Sequence, residues 1–223
     1  MFELADVSRH TIHRMALYHS VLKIMKENGV SIVVSSDLGR RTGIQPHVVR
    51  KDFSCFGEFG TKGVGYQIEY LLRRIEKILG YDTVWNAVLV CHGMPALPSV
   101  VYSYWPPAVN ILSVIDLSGQ NVGLPVDNLD LAVEQCENLV EIINTRNISI
   151  GIISTPPSYI QETVNHLIKA GIQGIVNFSA YPVFVPDSVA IIQVNVASLF
   201  SQMTFQLKHV PTKVPATERS AAE

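Results

Sequence analysis

Five short runs of apolar, largely β-branched residues constrain this chain most: residues 84–90, 111–115, 148–153, 174–178 and 189–194. Strands buried on both faces read as continuous apolar runs, because neither face meets water. Helix-like stretches such as residues 158–170 separate these runs. Strands alternating with helices imply a parallel sheet covered on both sides, so the fold class is α/β. With 223 residues, 48% of them hydrophobic, the chain can bury a sizeable core. No apolar run reaches the roughly 18 residues that span a bilayer. The first residues, MFELADVSRH, lack the apolar region of a signal peptide. These features read as a cytoplasmic protein without a membrane partner.

The first 79 residues follow another rhythm. Apolar positions Ile12, Met15, Leu17, Val21, Leu22, Ile24 and Met25 fall at helical spacing within residues 8–28, and Asn28-Gly29 supplies the stop. Ser35 and Ser36 are candidate N-caps for a short second helix, which Gly43 ends. Pro46 opens a third, where its missing N–H costs nothing. Val48, Val49 and Phe53 can face inward there, which leaves His47, Arg50, Lys51 and Ser54 outside. GEFGTKGVGY, residues 57–66, holds four glycines and reads as a tight hairpin, or wing. A helix over 67–79 follows, with Ile68, Leu71, Leu72, Ile75 and Ile78 as its core face. The predicted order is therefore a winged helix-turn-helix domain over 1–79 and a Rossmann-like parallel-sheet domain over 80–207. The latter ends in a helix over 196–207, and the polar, Pro-containing residues 208–223 read as a disordered tail.

Charge divides at the same place. Residues 1–79 carry twelve basic against eight acidic side chains, and the remainder carries five against eleven. A basic module on an acidic body suits nucleic-acid binding, though surface charge alone also fluctuates this far. The ordered pattern of helix, turn, helix and glycine wing adds the stronger argument. Recognition helices enter the major groove, where Arg grips guanine edges and Gln reads adenine. Gln45, His47, Arg50, Lys51 and Ser54 suit those roles, and Lys62 in the wing can reach the backbone.

VLVCHGMPALPSV, residues 88–100, stands where a dinucleotide-binding strand–loop–helix would carry G-x-G-x-x-G. The three glycines of that pattern permit, in turn, a tight turn, close approach of pyrophosphate to backbone, and close helix–strand packing. Cys91 takes the first place, Gly93 the second and Ala96 the third. A turn requiring positive φ would be strained by Cys91. Pro95 and Pro98 each remove an N–H that could face phosphate, and His92 and Met94 add bulk. Asp116 lies where a ribose-binding acid is expected, and equally where an ordinary strand-ending turn residue would. Cys55, Cys91 and Cys136 have no metal-ligand spacing and read as small apolar side chains. No acid–base pair, metal cluster or nucleophile arrangement supports an enzyme. A purely scaffolding dimer would not need Arg50, Lys51 and the wing.

VVRKDFSCFGEFGTKGVGY, residues 48–66, resembles the winged helix of the Rex family of redox-sensing transcriptional repressors. TIHRMALY near the start is similar to the same family. So are ILGYDTVWNAVLV, GIISTPP, LIKAGIQGIVNFS and VPDSV further on. The resemblance implies a homodimer on an inverted-repeat operator, a Rossmann domain sensing NAD(H), release from DNA by NADH, and a C-terminal helix exchanged between subunits. It places Arg14, Arg50, Lys51, Asp52, Ser54, Lys62, Gly63 and Gly65 in the DNA-contacting region, with Asp52 orienting Arg50 or Lys51. It also places Tyr102 near the nicotinamide end. Departures gather on the sensing side: Cys91, Pro95 and Pro98 in the loop, Ser118 for the second acid of a D-x-D pattern, and Asn195 for the Asp that begins the swapped helix. Cys55 replaces a common Tyr. The expectation is a repressor with weak or lost NADH sensing. The alternatives are an ordinary NADH-responsive repressor that tolerates a variant loop, or a thiol switch at Cys91.

Overall fold

The computed structural model describes residues 7–57, 59–60, 64–93, 106, 108–127, 129–179 and 181–209. The chain divides into two compact units, Met1–Val84 with Pro106–Ala108, and Trp85–Trp105 with Val109–Glu223. Lys62, Gly63, Met94, Pro95, Ala96, Pro98, Tyr102 and the tail beyond His209 lie outside the described residues.

The first unit begins with helix α1, Arg9–Glu27, whose first turn is capped by the Ser8 side chain accepting from the Thr11 N–H. Its buried stripe is Met15, Tyr18, Leu22 and Met25. Ile12, Leu17 and Ile24 face outward instead. One helix face cannot hold all seven apolar positions, and the aromatic Tyr18 wins the inward place. Strand β1, Ile32–Val33, leads to α2, Ser35–Thr42. Val34 is the N-cap and makes no side-chain bond, so neither Ser35 nor Ser36 caps this helix. Gly43 closes it at φ 73°. Helix α3, Pro46–Ser54, completes the helix-turn-helix. A Cβ on Gly39 of α2 would lie 2.5 Å from the Ile44 carbonyl oxygen, so the tight turn into α3 requires glycine there.

Strand β2, Tyr66–Gln67, pairs antiparallel with β1, Val33 opposite Tyr66. Helix α4, Ile68–Leu79, follows directly and ends at Gly80, φ 72°. Ile68, Leu71, Leu72 and Ile75 are buried in it, and Ile78 packs partly buried against the same core. Those residues close the core with Leu38, Val49, Phe53, Phe56 and Phe59.

The second unit is a six-stranded, wholly parallel sheet. Its strands are β3 (Trp85–Cys91), β4 (Val109–Asp116), β5 (Val133–Glu134), β6 (Ile150–Ser154), β7 (Gly174–Asn177) and β8 (Ala190–Gln193), in spatial order β5-β4-β3-β6-β7-β8. The two-residue β5 is too short to leave a pattern in sequence. Helices α5, Leu139–Thr145, and α6, Pro157–Lys169, pack on one face against Val88, Val90, Ile115 and Ile153. Ala87, Leu89, Cys91, Val114 and Ile152 fill the other face with Val126 and Val133. Alternate residues of β3 thus serve opposite cores, which is why the strand reads as an unbroken apolar run.

The last helix, α7, runs Val196–His209 and has no buried residue. Val196, Leu199, Phe200, Met203 and Leu207 line one exposed stripe. Among the described residues no helix is long and apolar enough to cross a membrane.

Candidate DNA-reading face and ligand crevice

Helix α3 presents Gln45, His47, Arg50, Lys51 and Ser54 on its exposed side, with Val49, Asp52 and Phe53 buried behind them. Arg50 Nη1 donates to Ser35 Oγ at 2.9 Å, which braces its base against the start of α2. Ser54 donates to the Lys51 carbonyl, as does the Cys55 thiol. Gly65, φ 97°, precedes β2 where the chain returns from the wing.

Asp52 makes no direct bond to Arg50 or Lys51, as an acid orienting them by contact would. Its carboxylate points inward and accepts from Arg14 Nε at 2.7 Å and Arg14 Nη2 at 2.6 Å, with the Tyr18 hydroxyl at 2.8 Å. A helix turns about 100° per residue, so the position after Lys51 faces away from the basic surface. The hydrogen bond to Asp52 holds the Arg14 guanidinium charged, with its pKa raised. Burial, then the same carboxylate, pushes the Tyr18 hydroxyl up.

In the second unit, β3 feeds β4 and β5 to one side while β6 begins the other, so the winding reverses between β3 and β6. Open α/β sheets bind ligands in the crevice outside the carboxyl ends at such a reversal. Cys91 ends β3 opposite Ser154 of β6 and Asp116 of β4. Cys91 keeps ordinary strand geometry and is fully buried, with its Sγ 3.3 Å from the carbonyls of Gly93 and Ile115. The positive φ of the turn, 90°, falls on Gly93. The expected strain at Cys91 is therefore absent, because the residue needing left-handed backbone is still glycine. Burial, with the Asp116 charge, pushes the Cys91 thiol up to about 12, opposite to the depressed value of a reactive thiol.

Asp116 is buried, and its own loop surrounds it with donors. The Gly93 N–H reaches Oδ1 at 2.7 Å, the Ser118 N–H at 2.9 Å and the Ser118 hydroxyl at 2.8 Å. Asn121 reaches Oδ2 with its Nδ2 at 2.8 Å and its backbone N–H at 3.2 Å. Burial alone would raise this pKa; donation from Ser118, Gly93 and Asn121 outweighs it and holds the carboxyl at about 2. The His92 ring stacks on Tyr159, in the first turn of α6, at 4.1 Å between centroids. That pair joins the element leaving β3 to the element leaving β6. Asn195 caps α7, its Oδ1 accepting from the Ser198 N–H at 3.0 Å. Composition and spacing offer no signal for Tyr159 or Asn121, since each is an ordinary surface residue until the sheet brings it to the crevice. No group of three His, Cys, Asp or Glu residues that could hold a metal occurs among the described residues.

A basic helix-turn-helix joined to a parallel sheet with a dinucleotide-type reversal defines a ligand-responsive transcription regulator. The chain belongs to the Rex family of redox-sensing transcriptional repressors, which are regulators rather than enzymes. It is 33% identical to the redox-sensing transcriptional repressor Rex of Carboxydothermus hydrogenoformans, covering 89% of this chain and 95% of that one. It is 35% identical to the Rex of Desulfitobacterium hafniense, covering 88% and 93%. Residues 6–54 match the family described as "Putative DNA-binding protein N-terminus", and residues 108–181 match the "CoA binding domain" family. Among solved structures, RSP, a Rex-family repressor, in complex with beta-NAD+ and operator DNA superposes with a TM-score of 0.81 at 29% identity, covering 91% of this chain and 93% of that one. The complex of RSP with beta-NADH gives 0.78 at 28%, covering 91% and 95%.

Proposed function

We propose that this protein is a Rex-type repressor that binds an inverted-repeat operator as a homodimer and has weak or lost NADH sensing. The exposed side chains of α3 support the DNA-reading half. Arg50 and Lys51 project from a helix held by a packed core, and Gln45, His47 and Ser54 flank them. By resemblance, Lys62 and Gly63 belong to the same DNA-contacting region. The bare apolar stripe of α7 supports the homodimer, since a second copy offers an identical stripe to cover it.

One observation carries the sensing half: Asp116 spends its acceptor positions on its own loop, and one of its donors is the Gly93 N–H. A ribose-binding acid needs open lone pairs, and the pyrophosphate needs loop N–H groups. Among the described residues the Asp116 oxygens and the Gly93 N–H are already engaged, which supports weak dinucleotide binding. The His92–Tyr159 stack adds two rings at the mouth of the same crevice. Asn195 caps its helix as well as Asp would, and carries no charge. The reading of an ordinary NADH sensor is favoured by Gly93, which retains positive φ at the fingerprint's middle position, and by the placement of Asp116 at the end of β4.

Calorimetric titration of the purified protein with NADH tests the two. The expected result is a Kd above about 100 μM, weaker than about −5.5 kcal/mol. Micromolar or tighter binding overturns the proposal in favour of the ordinary sensor.

A further inference from the structure

Arg14 belongs to the DNA-contacting region by resemblance, but its surroundings assign it another role. Two of its three guanidinium nitrogens, Nε and Nη2, lie on the two oxygens of Asp52, and Nη2 also reaches Thr11 Oγ1 at 3.3 Å. The Asp52 side chain is 2% exposed and that of Arg14 26%. A cation neutralised at 2.6 Å by a buried carboxylate acts on a distant phosphate as half of a dipole, and its pull is correspondingly weak. The forked geometry instead fixes direction, which is what bidentate Arg–carboxylate pairs do best.

What the pair fixes is the rotation of α3 on α1. Asp52 directly follows Arg50 and Lys51 in α3, so turning its carboxylate inward turns those two side chains outward. The hold extends further. Tyr18, donating to the same carboxylate, meets the Phe53 ring edge-on at 5.4 Å. Phe53 stacks on Phe59 at 5.3 Å and meets Tyr66 of β2 edge-on at 5.1 Å. One contiguous network thus joins α1, the recognition helix and both ends of the wing.

We propose that Arg14 and Asp52 are positioning residues for operator recognition, which set the presentation of Arg50 and Lys51 without themselves touching DNA. The proposal rests on the reading of α3 as the recognition helix. The full-length Arg14→Gln and Asp52→Asn proteins, and the double variant, are titrated with labelled operator across a salt series, with thermal unfolding followed in parallel. Each single variant should weaken operator binding at least about tenfold at a temperature where it is folded. The slope of log K against log salt should stay unchanged, and the double variant should lose no more than the worse single one.

A slope lowered by about one in Arg14→Gln would make Arg14 a phosphate contact and overturn the proposal. So would tighter binding by Asp52→Asn, as expected if Asp52 merely screened a contacting Arg14. Variants that melt earlier yet bind with unchanged affinity while folded would reduce the pair to a stability element and also overturn it. Tyr18→Phe, which keeps the ring packing, covers the case in which the charge variants fail to fold. It should lose roughly two- to fivefold at unchanged slope, and full affinity would overturn the proposal. An Arg50→Ala/Lys51→Ala protein run alongside should lose about two from the slope; if it does not, the recognition-helix reading is what has failed.

Discussion

The two units satisfy a buried carboxylate in the same way, at two different kinds of surface. In the first, the buried carboxylate of Asp52 is satisfied from within, and the cations next to it in sequence are left facing outward. In the second, the buried carboxylate of Asp116 is also satisfied from within, and one of its donors is the Gly93 N–H of the loop that follows β3. On the proposed function, internal saturation sharpens one surface and closes the other. DNA reading depends on side chains projecting from a rigid helix, which survive so long as the core behind them is packed. Nucleotide sensing depends on backbone N–H groups and open lone pairs, which changes in a loop can redirect without disturbing the sheet.

The largest effect should come from breaking the first unit's outward face. Arg50→Ala/Lys51→Ala should lower operator affinity by about two orders of magnitude or more while leaving the melting temperature intact, measured by fluorescence anisotropy. Next comes the exposed stripe of α7. A Leu199→Glu/Phe200→Glu protein should sediment as a monomer and bind a full operator tens-fold more weakly, because two linked half-site contacts become one. An unchanged sedimentation coefficient would remove α7 from the dimer.

A smaller effect concerns Asp116. Its folded pKa of about 2 lies below the ordinary carboxyl value of about 3.9, so its ionised form contributes roughly 2 kcal/mol of stability. That contribution is complete above about pH 4 and disappears as pH falls through about 2. Asp116→Asn should therefore cost roughly 2 kcal/mol in urea unfolding at pH 7 and flatten the acid limb between about pH 4 and 2. The smallest effect is a null one at Cys91. With its thiol pushed up to about 12 and fully buried, it should resist alkylation in the native protein while exposed Cys55 reacts, as read by mass spectrometry. Modification of Cys91 under native conditions would revive the thiol switch.

Much of this contrast is legible in the residues alone. Continuous apolar runs announce the parallel sheet, and Pro46, Gly43 and the outward Arg50–Lys51 pair announce the helix-turn-helix. What the residues misplace, they misplace for physical reasons. Sequence proximity pairs Asp52 with its basic neighbours, although a helix sends adjacent residues to different faces, and its partner Arg14 is 38 residues away. The fingerprint makes Cys91 a strained turn residue, whereas the strand runs one step longer and passes the turn to Gly93. The stack of His92 on Tyr159 joins residues from two separate strand–helix units, and no local pattern encodes a meeting made by strand order.

The tie between Gly93 and Asp116 has one more consequence. On the proposed function, a nucleotide arriving at this loop would not simply add to an empty site; it would compete for the Gly93 N–H with an acceptor already covalently attached to the protein. The carboxylate is present at the very high effective concentration of an intramolecular ligand, and no fluctuation in the cell dilutes it. Hydrogen bonds to a charged acceptor are worth about 1.5–3 kcal/mol each, so losing even one during the exchange weakens apparent affinity by roughly ten- to a hundredfold. The chain would thus carry its own competitive inhibitor, tuned to a fixed dose.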